Sequence, residues 1–483
     1  MCAAALFFMM TGGLVLAADT TEAEPVQAVA AATQTKAKTA QAAPVQQTYS
    51  LDLDTTKYEK KTMTVDGKKV AFRAYENRVY VAHPVDTTYQ SMNIYVPEGY
   101  FNGKTINGYT AKTAPIFLPN TVGGYMPGAP GQPSENDRMT GGANAMLVAL
   151  SKGYVVAAPG ARGRTTQAAD GTYTGKAPAL KALGAADERD DIYASSVYCP
   201  ITDLDHADMA YEWMFNGVNT YHQGNMGAMK PPAGNSQAKP AGVVTNRPDN
   251  APVEAAAGTE MTAVQQQASK DLKAMYPAYI NSLHLVDKNG KALTLDENGR
   301  GSFADYIKSI YMASAQKALD NGTDLSSKTW LTINDGKVTD MDLAGYAVDV
   351  TRLKAAPAFD ALDMSSAETE EFGTATVDKQ HFTVYGKDHS TIAGSALADK
   401  DIVKTMNPLN YIGKSGVKTA HYWRIRHGEA DRDTTIAVPA VVALRLQQAG
   451  YDVDFASPWA RGHAGDYDLD ELFAWMDAIG HKN

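Results

Sequence analysis

Residues 421–431 read HYWRIRHGEAD and residues 462–467 read GHAGDY, and these two stretches decide the fold. The first predicts a buried strand that ends shortly before Asp431, and the second places His463 after a further predicted strand at Tyr451–Phe455. In a serine hydrolase the histidine accepts the serine proton, while the aspartate orients the imidazole and stabilises its charged form. The order of the two residues predicts Asp431 as the catalytic acid and His463 as the catalytic base.

The nucleophile that should accompany this pair is missing. An α/β-hydrolase presents its serine in a G-x-S-x-G turn that precedes the acid and the histidine, and the chain contains no such motif. Four serines are conceivable substitutes, but none is predicted to lie in a strained turn that exposes its hydroxyl. We interpret each of these four as an ordinary residue: Ser195, Ser196, Ser390 and Ser395.

The strand and helix pattern predicts an α/β protein with a mostly parallel, doubly wound sheet. Continuous apolar runs at Tyr154–Ala158 and Ile192–Tyr198 are typical of strands covered on both faces, and helical stretches alternate with such runs. Residues 49–215 and 376–483 are predicted to form the two parts of this hydrolase domain. Residues 216–375 change in character to helical patterns and are predicted to be an inserted lid, with a second independent domain as the alternative.

The composition and the N-terminal residues exclude one class of partner and predict where the protein is located. A net charge of −10 argues against a nucleic-acid partner. Residues 1–18 are apolar and end in small residues, which predicts a signal peptide and a secreted, periplasmic or cell-surface protein. Residues 19–48 are predicted to be a disordered tether, and no integral membrane span is expected after signal removal. Cys199 would then be the single cysteine, which we interpret as a small buried residue.

Several further polar and glycine-rich segments give weaker indications of a functional role. Gly123 and Gly124 follow a predicted strand, as oxyanion-hole turns do in esterases. Asp433 suits a helix N-cap for 434–448. One further segment is dense in acidic residues and also contains a histidine, but its spacing fits no known metal motif. We therefore predict loop and helix-cap residues, and neither a metal nor a cofactor, at Asp203, Asp205, His206 and Asp208.

The chain resembles the bacterial tannases, which are serine esterases of the α/β-hydrolase fold that cleave galloyl esters. The resemblance implies that Asp431 and His463 are the catalytic acid and base. It also implies that Lys354, Glu368 and Asp433 bind the phenolic hydroxyls of the galloyl ring in a small-molecule ester. Related feruloyl esterases share the fold with a different ring pocket. The matching stretches run from about Tyr80 to the end of the chain: LPNTVGGYMPG, VVAAPGARGR, DDIYASSVYCPITDLDHADMAYEW, LKAAPAFDALDMSS, HYWRIRHGEADRDT and GHAGDYDLDELFAW.

One departure from the family pattern bears on activity. In the family, a helix, a strand ending in G-T-S-A-G and a second helix follow the YTGKAPA loop. Here that loop joins directly to LKALGAAD at the junction between Ala179 and Leu180. The sequence therefore predicts that the central strand is deleted together with its nucleophile and that this copy is impaired. The alternatives are a non-catalytic binder of galloyl or other phenolic groups, the product of a damaged gene, or a feruloyl-type carboxylesterase.

Overall fold

The structure is a computed structural model that describes residues 47–120, 123–137, 140–178, 192–222 and 258–480, together with the backbone of a short strand at residues 5–6. The remainder of the predicted signal peptide, most of the predicted tether and the junction between Ala179 and Leu180 lie outside the described residues. Among the described residues, no helix is both long enough and apolar enough to cross a membrane.

A nine-stranded mixed sheet forms the centre of the molecule, and two small two-stranded sheets lie outside it. In the large sheet the strand order is β13-β12-β7-β1-β5-β6-β4-β3-β2, with parallel pairing from β13 to β6 and antiparallel pairing from β6 to β2. This confirms the predicted α/β class and the mostly parallel sheet. The strands are β1 (Ala5–Leu6), β2 (Glu59–Val65), β3 (Lys68–Val79), β4 (Ser91–Pro97), β5 (Ile116–Phe117), β6 (Val155–Pro159), β7 (Ala194–Tyr198), β8 (Thr220–Tyr221), β9 (Thr259–Glu260), β10 (Leu331–Asn334), β11 (Lys337–Met341), β12 (Tyr422–Arg426) and β13 (Asp452–Ala456).

Local sequence explains the antiparallel edge of the sheet. Asp66 and Gly67 both have positive φ (48° and 76°), as a two-residue hairpin turn between β2 and β3 requires. Along β4 buried residues alternate with half-buried ones, which is the pattern of a strand with one face on the core. Strands β2 and β3 therefore form an antiparallel hairpin.

Helices cover the sheet and build the inserted segment. Three of the helices, α3, α4 and α5, lie within residues 216–375, where the sequence predicts helical patterns, whereas the β10–β11 hairpin in the same range was not predicted. The helices are α1 (Ala145–Ser151), α2 (Leu204–Phe215), α3 (Ala263–Ser282), α4 (Ser302–Asp320), α5 (Leu343–Val350), α6 (Ala367–Glu371), α7 (Val384–Asp388), α8 (Lys400–Met406), α9 (Ala437–Gln448) and α10 (Leu469–Gly480), with 3₁₀ turns at Glu98–Asn102 and Pro408–Asn410.

Helices within residues 216–375 share one hydrophobic core with helices α2 and α9. Tyr211 on α2, Tyr276 on α3 and Phe303 on α4 are all fully buried in the same cluster, together with Tyr346 on α5 and Leu444 on α9. Aromatic side chains of this size contribute most of the apolar area that such a core removes from water. The segment is thus packed onto the sheet domain along its length.

Strand β1 occupies the central position of the sheet, where the sequence predicts a missing strand. Strand β1 lies between β5 and β7, with Ala5 paired to Ile116 and Leu6 paired to both Phe117 and Ala194. Without a strand at this position, the facing N–H and C=O groups of β5 and β7 would be left without hydrogen-bond partners inside the protein. Two residues of the predicted signal peptide satisfy part of that requirement, although β1 is much shorter than an ordinary strand.

A buried ion pair joins the hydrolase domain to the segment that follows α5. Arg352 and Glu212 are both fully buried, and the guanidinium makes two hydrogen bonds to the carboxylate at 2.6 and 3.1 Å. Arg352 Nε also donates to the Lys354 carbonyl at 2.7 Å, and Ser269 on α3 donates to Glu212 at 2.5 Å. The pair therefore fixes α2, α3 and the Lys354 backbone relative to one another.

Replacing Arg352 by Met should lower the free energy of unfolding by about 3–5 kcal/mol, because the Glu212 charge would stay buried without a partner. Urea unfolding followed by circular dichroism measures the change. The exposed Arg300→Met is the matched control and should change little. The double variant Arg352→Met/Glu212→Met should be more stable than Arg352→Met alone; equal stability of the two would contradict the ion-pair interpretation.

Candidate active site

The carboxyl ends of three neighbouring parallel strands bring the candidate residues together. Cys199 follows β7, Asp431 follows β12 and His463 follows β13, and these strands pair in register side by side. Ligand and catalytic groups collect at this edge in open α/β sheets because the ends of parallel strands meet there. Gly428 is required for the close approach, since a Cβ at this position would lie 2.1 Å from the Arg461 carbonyl oxygen.

Asp431 is held rigidly by the turn that follows β12. It is 1% exposed, and its Oδ1 accepts the backbone N–H groups of Asp433 and Thr434 at 2.9 and 3.3 Å. Its Oδ2 lies 3.0 Å from Nδ1 of His463 and 3.4 Å from Nε2 of the buried His427. Burial opposes ionisation of this carboxyl, but the charges of His463 and His427, with hydrogen bonds from His463 and Cys199, outweigh it and hold the pKa of Asp431 well below its usual range.

His463 is the exposed member of this pair. Its side chain is 37% exposed, and its Nε2 lies 3.8 Å from Oδ2 of Asp433. Burial alone would lower the pKa of His463, but the Asp431 carboxylate and its hydrogen bond, with a smaller effect from Asp433, raise it well above the usual value. Asp431 and Asp433 therefore favour the charged form of His463, which acts as a base only after it loses a proton.

Cys199 lies beside this pair, which the sequence did not reveal. Its φ of 45° turns the chain sharply at the end of β7, and its thiol lies 3.6 Å from the Ala464 carbonyl oxygen. Potential ligand atoms of Cys199, Asp431 and His463 lie within 4.8 Å of one another. Burial raises the pKa of the Cys199 thiol, and the charge of Asp431 adds to that effect, so the group is a neutral thiol and a poor nucleophile.

The second acidic and histidine cluster is an internal hydrogen-bond network. His206 Nδ1 lies 2.9 Å from Asp203, and Asn407 donates to both Asp203 and Asp205 at 2.7 and 2.8 Å. Asp208 accepts the backbone N–H groups of residues 359 and 360. These carboxylates are occupied by donors of the protein itself, which is how buried polar groups are normally satisfied.

Three charged side chains form a pocket next to His463. Lys354 Nζ lies 3.5 Å from Asp433 and 3.9 Å from Glu368, and it stands 4.5 Å from the centre of the Phe359 ring. Burial lowers the pKa of the Lys354 ammonium, but Asp433 and Glu368 outweigh it, so the net pKa is raised. Burial raises the pKa of the Glu368 carboxyl. One ammonium and two carboxylates facing one another can hold a ligand that offers several hydroxyl groups.

The structure corrects one expectation about a neighbouring residue, Asp433, while the oxyanion role of Gly123 and Gly124 stays a prediction. The interpretation of Asp433 as a helix cap is wrong, because α9 begins at Ala437 with Ile436 at its N-cap. Asp433 faces Lys354 instead. The glycine pair forms a turn in which Gly124 has a φ of +63° and its carbonyl accepts from Arg164 at 3.0 Å. Within the described part of the chain, no hydrogen bond joins Gly123 or Gly124 to His463.

The substitute serines do not complete the pair. Ser195 and Ser196 lie within β7, opposite Trp423 and Arg424 of β12, rather than at the carboxyl end of the strand. Across the described residues, no serine hydroxyl is hydrogen-bonded to His463. Ser390 is hydrogen-bonded to a different histidine, His381, at 2.8 Å.

Glu371 lies on α6 close to the charged pocket and carries an unusual carboxyl group. It is fully buried, and neither of its oxygens has a hydrogen-bond partner among the described residues. Burial raises the pKa of Glu371 to about 8, although Arg164 and Lys176 act in the opposite direction. The carboxyl is therefore protonated at neutral pH, and sequence reasoning had no signal for this because the burial is a tertiary effect.

Several solved structures are similar to this chain. The structure of a tannase from Fusobacterium nucleatum has a TM-score of 0.80 at 40% identity, covering 89% of this chain and 100% of that one. A tannase from Lactobacillus plantarum has a TM-score of 0.78 at 37% identity over 89% and 100% of the two chains. A tannin acyl hydrolase in complex with ethyl gallate has a TM-score of 0.77 at 37% identity over 89% and 99%. These likenesses confirm the α/β-hydrolase fold, whereas no family model and no curated protein matches.

Replacing Glu371 by Gln should stabilise the protein above pH 8. A raised carboxyl pKa means that the folded state binds more protons than the unfolded state, so stability falls as pH rises from about 4.5 to about 8. Gln keeps the shape without the charge, and the variant should gain more than about 1.4 kcal/mol at pH 8.5, the value of one pKa unit. Unfolding in urea at pH 5 and pH 8.5 measures this. The exposed Glu297→Gln serves as control, and an equal pH dependence in Glu371→Gln and the wild type would contradict it.

Proposed function

Because the chain belongs to the tannase family of carboxylic ester hydrolases, we propose that it binds galloyl esters and hydrolyses them through His463 and Asp431. The observation that carries this proposal is the adjacency of the two groups of residues. The charged pocket of Lys354, Glu368 and Asp433 touches the base itself, since His463 Nε2 lies 3.8 Å from Asp433. A ring bound by the pocket would hold its ester carbonyl near that nitrogen.

The pocket matches the chemistry of a trihydroxyphenyl ring. Three adjacent phenolic hydroxyls need hydrogen-bond acceptors for their protons and a donor for an oxygen. Glu368 and Asp433 supply the acceptors, and Lys354 supplies the donor. Hydrogen bonds to charged groups are the stronger ones, at about 1.5–3 kcal/mol each, so this triplet favours a polyphenol over a ring without hydroxyls.

A hydrolytic step can be written with the groups that this chain holds. Neutral His463 accepts a proton from a water molecule as the water oxygen bonds to the ester carbon. The tetrahedral intermediate then expels the alcohol, which takes the proton from His463, and the acid is released. Asp431 orients the ring and stabilises its charged form. General-base assistance of this kind contributes about 10²–10⁴-fold, so we propose slow turnover that begins only as His463 deprotonates.

A second candidate function is the binding of galloyl groups without hydrolysis. It is favoured by one specific observation, namely that no described serine contacts His463 and that the neighbouring Cys199 is a buried neutral thiol. In that case the charged pocket would bind the galloyl ring, and no hydrolysis would follow. The two candidates differ only in whether gallate is released.

Methyl gallate distinguishes these candidates. Binding measured by calorimetry should weaken about 10–100-fold in Lys354→Met, because one charge-assisted hydrogen bond is lost, and should persist in the exposed control Lys337→Met. Gallate release followed by chromatography should disappear in His463→Ala while binding remains. Binding without release in the wild type would favour the second candidate, and unaltered binding in Lys354→Met would exclude this pocket.

We also propose export of the chain, supported by the apolar residues 1–18. Cleavage after this segment would remove β1 from the sheet, because Ala5–Leu6 is that strand. Mass spectrometry of protein from the cell envelope or medium should find a mature N-terminus near residue 19. Recovery only from the cytoplasm with residues 1–18 intact would contradict export.

A further inference from the structure

A second aspartate–histidine pair lies outside the candidate active site, and this one has a serine. His381 Nδ1 lies 2.7 Å from Asp360 Oδ1, and His381 Nε2 lies 2.8 Å from the Ser390 hydroxyl. The segment containing these residues begins after α5 and ends before α8. The arrangement has the connectivity of a Ser–His–Asp triad, which is recognised by geometry and not by sequence position.

Hydrogen-bond roles within this triad are fixed by its chemistry. A carboxylate only accepts, so Asp360 requires the proton of neutral His381 to be on Nδ1. Nε2 is then an acceptor, and the Ser390 hydroxyl must donate to it. The alternative acceptors of that hydroxyl, the carbonyls of Leu362 and Ile392, are farther away at 3.3 and 3.5 Å. The proton therefore lies on the serine and points at the base, as a nucleophile requires.

The acid of this triad is built rigidly. Asp360 is fully buried, and its Oδ2 accepts from the Thr383 backbone N–H at 2.9 Å and from the Thr383 hydroxyl at 2.7 Å. Its own N–H is fixed by Asp208 at 3.0 Å. Gly386 leaves room for the carboxylate, because a Cβ there would lie 2.3 Å from Asp360 Oδ2. His381 is also fully buried, so the base is held in one orientation.

Ser390, in contrast, reaches the surface. It is only partly buried, and its neighbours His389 and Thr391 are exposed. Large apolar side chains are exposed along the same segment: Val377, Val384, Ile392 and Leu397. Leu397 is also paired through its backbone with His381. A hydroxyl with a buried base behind it and apolar side chains exposed nearby suits an aliphatic acyl group.

We propose that Ser390, His381 and Asp360 form a second esterase site that cleaves small aliphatic carboxylic esters. Ser390 Oγ bonds to the acyl carbon while its proton passes to His381 Nε2. The leaving alcohol takes that proton as its bond to the acyl carbon breaks, which gives acyl-Ser390. Water then attacks the acyl carbon with His381 as base, releasing the carboxylic acid and restoring the serine.

The test uses a fluorophosphonate on the full-length protein. Attack by Ser390 forms a phosphorus–oxygen bond and releases fluoride, with the serine proton leaving through His381. The tryptic peptide 388–400 contains both Ser390 and Ser395, and fragment-ion masses assign the modified residue. Label on Ser390 is expected, also with gallate present, because the proposed galloyl pocket uses other residues. A folded wild-type protein without label on Ser390 would overturn the proposal.

Matched variants provide the second readout. Ser395 lies in the same segment, and its buried hydroxyl has no hydrogen-bond partner within the described chain. Hydrolysis of p-nitrophenyl butyrate should fall about a hundredfold or more in Ser390→Ala, the scale of a lost acid–base site, and should persist in Ser395→Ala. Circular dichroism verifies that both variants fold. Undiminished hydrolysis in folded Ser390→Ala, or label of equal extent on Ser395, would show that the serine–histidine bond is only structural.

Discussion

The buried pair of Arg352 and Glu212 is the interaction on which the placement of the candidate site depends. Taking two charges out of water is costly, and the cost is offset only when geometry and hydrogen bonding are both favourable. Here the guanidinium makes two bonds to the carboxylate and a third to the Lys354 carbonyl. The same contact that joins α3 and the segment after α5 to α2 therefore also fixes the backbone of Lys354, whose side chain faces Asp433 and Glu368.

Sequence reasoning succeeded where an inference depended on local periodicity and chain order. The strands before Asp431 and His463 have clear apolar patterns, and parallel strands must end at the same edge, so the closeness of the two residues followed directly. The contact between Arg352 and Glu212 involves residues far apart in the chain, and no sequence pattern indicates that these two side chains pair. The cap interpretation of Asp433 failed for a related reason, since Asp is suited both to helix starts and to charged pockets, and only tertiary contacts decide between them.

The interior of the sheet shows that backbone pairing and a catalytic side chain are separate requirements. Backbone groups at the centre of a sheet must be paired, and Ala5–Leu6 pairs some of those of β5 and β7. Backbone hydrogen bonding between strands does not depend on which side chains are present, so a two-residue strand can supply part of it. A nucleophile is a requirement of one side chain in one strained turn. Residues Ala5–Leu6 meet the first requirement in part, and among the described residues no serine hydroxyl is hydrogen-bonded to His463.

The two aspartate–histidine pairs of this chain share one contact and differ in another. In both, a carboxylate receives Nδ1 of a histidine, at 3.0 Å for Asp431 and at 2.7 Å for Asp360. They differ at Nε2, which lies 3.8 Å from the Asp433 carboxylate in one pair and 2.8 Å from the Ser390 hydroxyl in the other. A nearby carboxylate favours the charged imidazolium, while a hydroxyl donor requires the neutral ring. The group facing Nε2, and not the acid–histidine contact, therefore distinguishes the two pairs.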